Sequence, residues 1–210
     1  MTAYPIARRS FFPFVSIFAK AIEGVENIPD SRPVIVASNH LGLLDPLFIG
    51  AVYVRRTKRK LRYLVDTSNK FWYFLGFFLQ YWTNTIPVNQ RKPGNVVETA
   101  VVALKRGDSI GVFPEGRASP GTALLPGHTG AIRMSLLSGA PILPVGIENT
   151  NVRLMTIIGR RFAHRQEGIT IRFGEPYTPK GDANDHTIVR SLTDDLMHRI
   201  AALSGKPYVT

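Results

Sequence analysis

The hydrophobic residues of this chain fall in short unbroken runs, and that pattern constrains the fold more than anything else in the sequence. Residues 34–38 (VIVAS), 109–113 (SIGVF) and 142–147 (ILPVGI) are apolar on both faces of an extended chain, and 169–173 (ITIRF) reads as a further strand. A strand of that kind must be covered on both sides. Segments of helical period lie between them. Asp45-Pro46 opens a helix to residue 54, with Asp as N-cap and Pro in the first turn. Asn95 reads as the cap of a second helix, with Glu98 completing a capping box, Val97, Ala100, Val101 and Leu104 on one side, and Gly107 ending it. Residues 129–137 form a third, stopped by Gly139. The last, from 185 to about 203, aligns Ile188, Leu192, Leu196 and Ile200. Strands alternating with helices predict an α/β fold, a mostly parallel or mixed sheet covered by helices. In such sheets ligands sit beyond the carboxyl ends of the strands.

No linker, low-complexity tract or repeat interrupts the 210 residues, so residues 1–210 are expected to form a single domain. The absence of cysteine excludes disulfides, thiolate zinc sites and thiol catalysis, and fits a reducing compartment. The charge balance, 26 Lys+Arg against 15 Asp+Glu, is strongly basic and points to an anionic partner: nucleic acid, a membrane surface or phosphorylated substrates. The longest apolar stretch, residues 71–82, is about half the ~20 residues a membrane-spanning helix needs, so no transmembrane helix is expected. The N-terminal segment, about residues 5–20, has a leader-like run after Arg8-Arg9. Pro13 interrupts that run, and it reads as mature sequence that touches a membrane surface.

Two constellations carry chemistry. In Asn39-His40-Leu41-Gly42-Leu43-Leu44-Asp45, a histidine stands between a strand end and a helix start, with a carboxylate five positions on. Imidazole accepts protons near neutral pH, and a neighbouring carboxylate orients it and stabilises the imidazolium. An ordinary N-cap and a structural histidine would give the same spacing. In Phe113-Pro114-Glu115-Gly116-Arg117-Ala118-Ser119, a strand runs into a turn bearing a carboxylate, a guanidinium and a hydroxyl. Arginine clamps phosphate bidentately and glutamate accepts from hydroxyls, although a solvated Gly/Pro turn is the common alternative.

Taken together, H-x4-D near residue 40 and FPEG about 75 residues later resemble the glycerolipid (lysophospholipid) acyltransferase family, above all its bacterial members acting on 1-acylglycerol-3-phosphate. The resemblance extends along nearly the whole chain. It takes in Gly24–Pro29, the apolar segment Ile86-Pro87-Val88 leading to Arg91, the Pro-centred Ala140–Gly146, and Arg172-Phe173-Gly174-Glu175-Pro176. Two departures concern the acceptor: Arg117 lies one position nearer its Glu than the family's arginine, and Asn89-Gln90 replace an acidic residue before Arg91. The resemblance implies direct acyl transfer from an acyl thioester (acyl-CoA or acyl carrier protein) to the sn-2 hydroxyl of 1-acylglycerol-3-phosphate, giving phosphatidic acid. His40 would act as the base and Asp45 as its orienter. Asn39, Glu115, Gly116, Arg117, Ser119 and Arg91 would bind the acceptor. No metal and no cofactor are implied. A different lysophospholipid or glycolipid acceptor is the alternative within the class. A noncatalytic basic module binding membrane or nucleic acid is the alternative outside it, and the intact His40–Asp45 pair argues against it.

Arg55, Arg56, Lys58, Arg59 and Lys60, followed by Arg62, form the densest cationic run. Nucleic acid is the usual rival for such a cluster. Anionic lipid is the expected partner, because a segment apolar all round, with Phe71, Trp72, Phe74, Leu75, Phe77 and Phe78, follows shortly after. Trp72, Tyr73, Tyr81 and Trp82 suit a bilayer interface or an acyl-chain wall. The expected location is therefore peripheral, on the cytoplasmic face of the cell membrane, with no nucleic acid bound. His128, His164, His186 and His198 show no ligand spacing and read as structural.

Overall fold

The computed structural model describes residues 18–42, 44–66, 85–88, 93–119, 121–149 and 168–209. The strands are β1 (Ala19–Glu23), β2 (Ile35–Ser38), β3 (Leu61–Asp66), β4 (Ile86–Val88), β5 (Ser109–Val112), β6 (Ile142–Glu148) and β7 (Ile169–Phe173). The helices are α1 (Asp45–Thr57), α2 (Pro93–Lys105), α3 (Gly130–Ser138) and α4 (His186–Ser204). Among the described residues the strands form one seven-stranded sheet in the order β1-β7-β6-β2-β5-β3-β4. Every pairing is parallel except β6 with β7, so the predicted mixed α/β sheet is the observed one.

The alternation of side chains along β2 explains why its apolar run is continuous. Val34 and Val36 point to one face, where Phe48, Ile49, Val52 and Tyr53 of α1 complete a core with Leu143 and Val145. Ile35 and Ala37 point to the other, against Ala100 and Leu104 of α2, Ile132 of α3, and Leu196, Met197 and Ile200 of α4. Each fully buried isoleucine or leucine contributes roughly 1.5–3 kcal/mol, so the two-sided burial dominates the stability of this strand. α4 docks closely because Gly146 of β6 carries no side chain: a Cβ there would lie 2.3 Å from the Leu203 carbonyl carbon.

Several boundaries differ from the sequence reading. Leu44, not Asp45, stands at the N-cap of α1, and Asp45 occupies the first turn with its side chain directed elsewhere. α1 continues past residue 54 to Thr57, so Arg55 and Arg56 belong to its last turn, and Lys58 closes it in the left-handed conformation (φ 60°). α2 starts at Pro93, whose fixed φ suits a first turn, so Asn95 lies inside the helix rather than capping it. α3 ends as predicted at Gly139. Asp185 caps α4, accepting from Thr187 N at 2.9 Å and Ile188 N at 3.0 Å. The buried stripe of α4 is Val189, Thr193, Leu196, Met197 and Ile200, whereas Ile188 is exposed and Leu192 half-buried. Met197 and Thr193 are drawn inward by Gly127, which leaves them room that a side chain would fill.

β3 emerges from the end of the cationic run. Leu61 and Tyr63 turn inward, while Arg62 pairs at 2.7 Å with Asp108 in the turn before β5. Among the described residues no helix is long and apolar enough to cross a membrane. The expected membrane-facing residues Phe71, Trp72, Phe74, Leu75, Phe77 and Phe78, most of the N-terminal segment, and Arg91 lie outside the described residues.

Candidate active site

β2 and β5 are parallel neighbours, so the residues that follow each of them emerge together at the carboxyl edge of the sheet. Asn39 prolongs β2 with its side chain. Its Oδ1 accepts from Ile147 N and its Nδ2 donates to Ile147 O, both at 2.9 Å, reproducing a ladder pair on β6. It is fully buried. Both its amide groups bond the backbone of Ile147, so Asn39 fixes the direction in which the chain leaves β2.

His40 follows immediately. Its Nδ1 lies 2.8 Å from Asp45 Oδ2, which also accepts from Leu41 N at 2.6 Å and Gly42 N at 2.8 Å. The carboxylate that seemed a cap for its own helix thus folds back over the preceding turn. It sits beside the α1 N-terminus, where the helix dipole favours negative charge. A carboxylate only accepts, so Nδ1 carries the hydrogen and the lone pair is left on Nε2. Nε2 has no hydrogen-bond partner among the described residues. Asp45 has no exposed surface and the His40 side chain is 20% exposed, so the pair is buried except at the edge that presents Nε2. One face of the imidazole is covered by Phe113, centroids 4.1 Å apart and planes 18° apart.

The turn after β5 holds His40 by its backbone. Glu115 Oε1 accepts from His40 N at 3.0 Å, and Ser119 N donates to His40 O at 2.7 Å. Glu115 Oε2 accepts from Leu125 N at 2.9 Å, and the side chain is buried. Both carboxylate oxygens thus accept from backbone N–H groups, and Glu115 ties the turn after β5 to the His40 backbone. Gly116 makes the turn possible at φ 71°, a left-handed conformation natural to glycine, with its N–H donating to Phe113 O at 3.0 Å. Arg117 is exposed and forms no hydrogen bond or ion pair among the described residues, which leaves its guanidinium available at this edge.

His128, read from the sequence as structural, is brought to the same turn. A Cβ on Gly116 would lie 2.8 Å from its ring, and His128 N donates to Pro114 O at 2.8 Å. Nothing in its local sequence marks it, since the approach depends on the loop before α3. The cationic run lies at the far end of α1, roughly 20 Å along the helix from Asp45 at 1.5 Å per residue. Some of it is occupied locally: Arg56 contacts Asp30 at 3.3 Å, Arg59 donates to Gly107 O at 2.8 Å, and Lys58 donates to Arg55 O at 2.9 Å.

Fold and site together define an α/β protein with a hydrogen-bonded His–Asp dyad at the carboxyl edge of its sheet. A family profile described as Acyltransferase matches residues 20–148, a span holding the whole dyad and the turn that supports it. The chain belongs to that acyltransferase family. The 1-acyl-sn-glycerol-3-phosphate acyltransferase of Borreliella burgdorferi is 33% identical over 137 residues, 62% of this chain and 51% of that protein. The enzyme of the same name from Escherichia coli is 33% identical over 96 residues, 43% of this chain and 39% of that one. The chain thus spans about half the length, or less, of these relatives. Among solved structures, the 1-acyl-sn-glycerophosphate acyltransferase PlsC of Thermotoga maritima shares the fold, with a TM-score of 0.64 at 22% identity, covering 91% of this chain and 77% of that one.

Proposed function

We propose that the protein transfers an acyl chain from an acyl thioester to the sn-2 hydroxyl of 1-acylglycerol-3-phosphate, giving phosphatidic acid. The observation that carries this reading is the His40 Nδ1–Asp45 Oδ2 contact of 2.8 Å with Nε2 left open. The hydroxyl proton passes to Nε2 as its oxygen attacks the thioester carbonyl. The tetrahedral intermediate then collapses, the C–S bond breaks, and the departing thiolate recovers the proton from Nε2. Asp45 stabilises the imidazolium that exists between the two transfers. The steps balance with the two substrates alone, acyl-CoA and acyl carrier protein being equivalent as thioester donors, and the proposal includes no cofactor or metal. Arg117, with Arg91, supplies the guanidinium charge for the acceptor's phosphate. The 1-acyl-sn-glycerol-3-phosphate acyltransferases to which the chain is similar support this acceptor.

The proposal places the protein peripherally on the cytoplasmic face of the membrane. α1 would lie along the lipid surface, since this orientation brings both the cationic run at its end and His40 at its start to one plane. Binding to anionic vesicles should then weaken with added salt, as screening shortens the field to about 8 Å at physiological ionic strength. Salt-independent binding would leave the run without a role in it. For the chemistry, the test is purified protein with labelled acyl-CoA and a panel of lysophospholipids and glycolipids, with product identification. Phosphatidic acid as the main product supports the proposal. Another acylated product would move the acceptor assignment, and no product from any acceptor would remove the enzymatic reading.

A further inference from the structure

Phe113 stands in the turn motif, but neither its backbone nor its side chain has a part in the steps above. Its ring covers one face of the His40 imidazole at 4.1 Å. Tyr63 lies near-parallel to Phe113 in turn, at 5.8 Å and 10°. The seat of this three-ring ladder is a glycine: Tyr63 is the register partner of Gly111, and a Cβ on Gly111 would lie 2.3 Å from the Tyr63 ring. A side chain on that strand position would push Tyr63 off, and Phe113 with it.

We infer that Phe113 is a positioning residue for acyl transfer, its ring holding the His40 imidazole in plane with Asp45 and stabilising the imidazolium formed when Nε2 takes the proton. The inference rests on the acyl-transfer reading given above. A ring wedged between a carboxylate at Nδ1 and an aromatic face keeps one orientation, so Nε2 is aimed before the acceptor arrives. The π face also carries negative potential, which adds to the stacking once the imidazole is protonated, so the interaction strengthens between ground and transition state. Tyr63 has no proton-transfer role here. Its hydroxyl is buried without a partner among the described residues, and burial, with the Asp45 charge adding to it, pushes its pKa far above the usual tyrosine value. It braces Phe113 by packing.

The test compares Phe113→Leu, Phe113→Tyr and Gly111→Ala with wild type, by steady-state kinetics and by NMR of the His40 imidazole in ¹³C/¹⁵N-histidine-labelled protein. Phe113→Leu should lower kcat about 3- to 30-fold, the range spanned by cation–π attraction, while the KM values for acceptor and donor change less than about twofold. Phe113→Tyr, which keeps the ring, should stay within about twofold in kcat. Gly111→Ala, remote from the imidazole, should resemble Phe113→Leu. The His40 ring protons should lose their aromatic upfield displacement, and the Nδ1 proton should exchange faster, in Phe113→Leu and Gly111→Ala but not in Phe113→Tyr. A kcat unchanged in Phe113→Leu, a loss confined to KM, or an equal loss in Phe113→Tyr would overturn the assignment. If wild type turns over no acceptor, the functional reading fails. The NMR comparison still decides separately, since unchanged His40 resonances in Phe113→Leu would sink the positioning role.

Discussion

Replacing Glu115 by glutamine separates a binding role from a supporting one. In the structure the carboxylate accepts from His40 N at 3.0 Å and Leu125 N at 2.9 Å, one oxygen each, and the residue is only 4% exposed. Glutamine keeps one acceptor and turns an NH2 group toward the other backbone N–H. One charge-assisted hydrogen bond of about 1.5–3 kcal/mol is lost, and a buried N–H is left facing a donor. The two effects overlap, so a total of about 2–4 kcal/mol is expected. For a chain of 210 residues, with about 2–4 °C of Tm per kcal/mol, Glu115→Gln should melt about 5–15 °C lower. Because one of the two bonds fixes the His40 backbone, kcat should also fall, by about 10- to 100-fold, with acceptor KM within about twofold. The assays are thermal unfolding monitored by circular dichroism and acyl-transfer kinetics with acceptor varied. An unchanged Tm together with a large rise in acceptor KM would refute the reasoning and return Glu115 to the substrate.

Asp45→Asn retains an oxygen for the Leu41 and Gly42 amides but removes the charge beside the imidazolium; kcat should drop about 10²- to 10³-fold while the helix content holds, and retained kcat would detach Asp45 from the base. Arg117→Lys replaces a bidentate fork by a point charge, so acceptor KM should rise about 10-fold or more with donor KM nearly constant; an unaltered acceptor KM would leave the phosphate to Arg91.

The sheet was legible because the strands buried on both faces write their burial into consecutive residues. Val34-Ile35-Val36-Ala37 feeds two cores at once, and no other element type accounts for it as simply. β3 was obscured because its first residues continue a cationic run, and only the pairing of Arg62 with Asp108 shows that the charge tethers one strand to another's turn. The His40–Asp45 pair was legible for a local reason, since five residues around one turn bring the two side chains together. The backbone contacts of Asn39 and Glu115 were not. Their polar atoms are closed by Ile147 and Leu125, and by the His40 backbone, and those contacts span 108, 10 and 75 positions of sequence. A polar residue beside a catalytic one looks the same in sequence whether it faces substrate or holds the backbone. The approach of His128 to Gly116 was not legible because the loop that carries it there has no signature of its own.

The central claim is that His40 Nε2, aimed by Asp45, removes the proton from an acceptor hydroxyl. It is tested most directly by measuring acyl transfer from labelled acyl-CoA to 1-acylglycerol-3-phosphate for wild type and His40→Ala, with circular dichroism of both. The account predicts labelled phosphatidic acid from wild type, a loss of about 10²- to 10⁴-fold or more in His40→Ala, and superimposable spectra. Turnover by a folded His40→Ala protein at near the wild-type rate would contradict it.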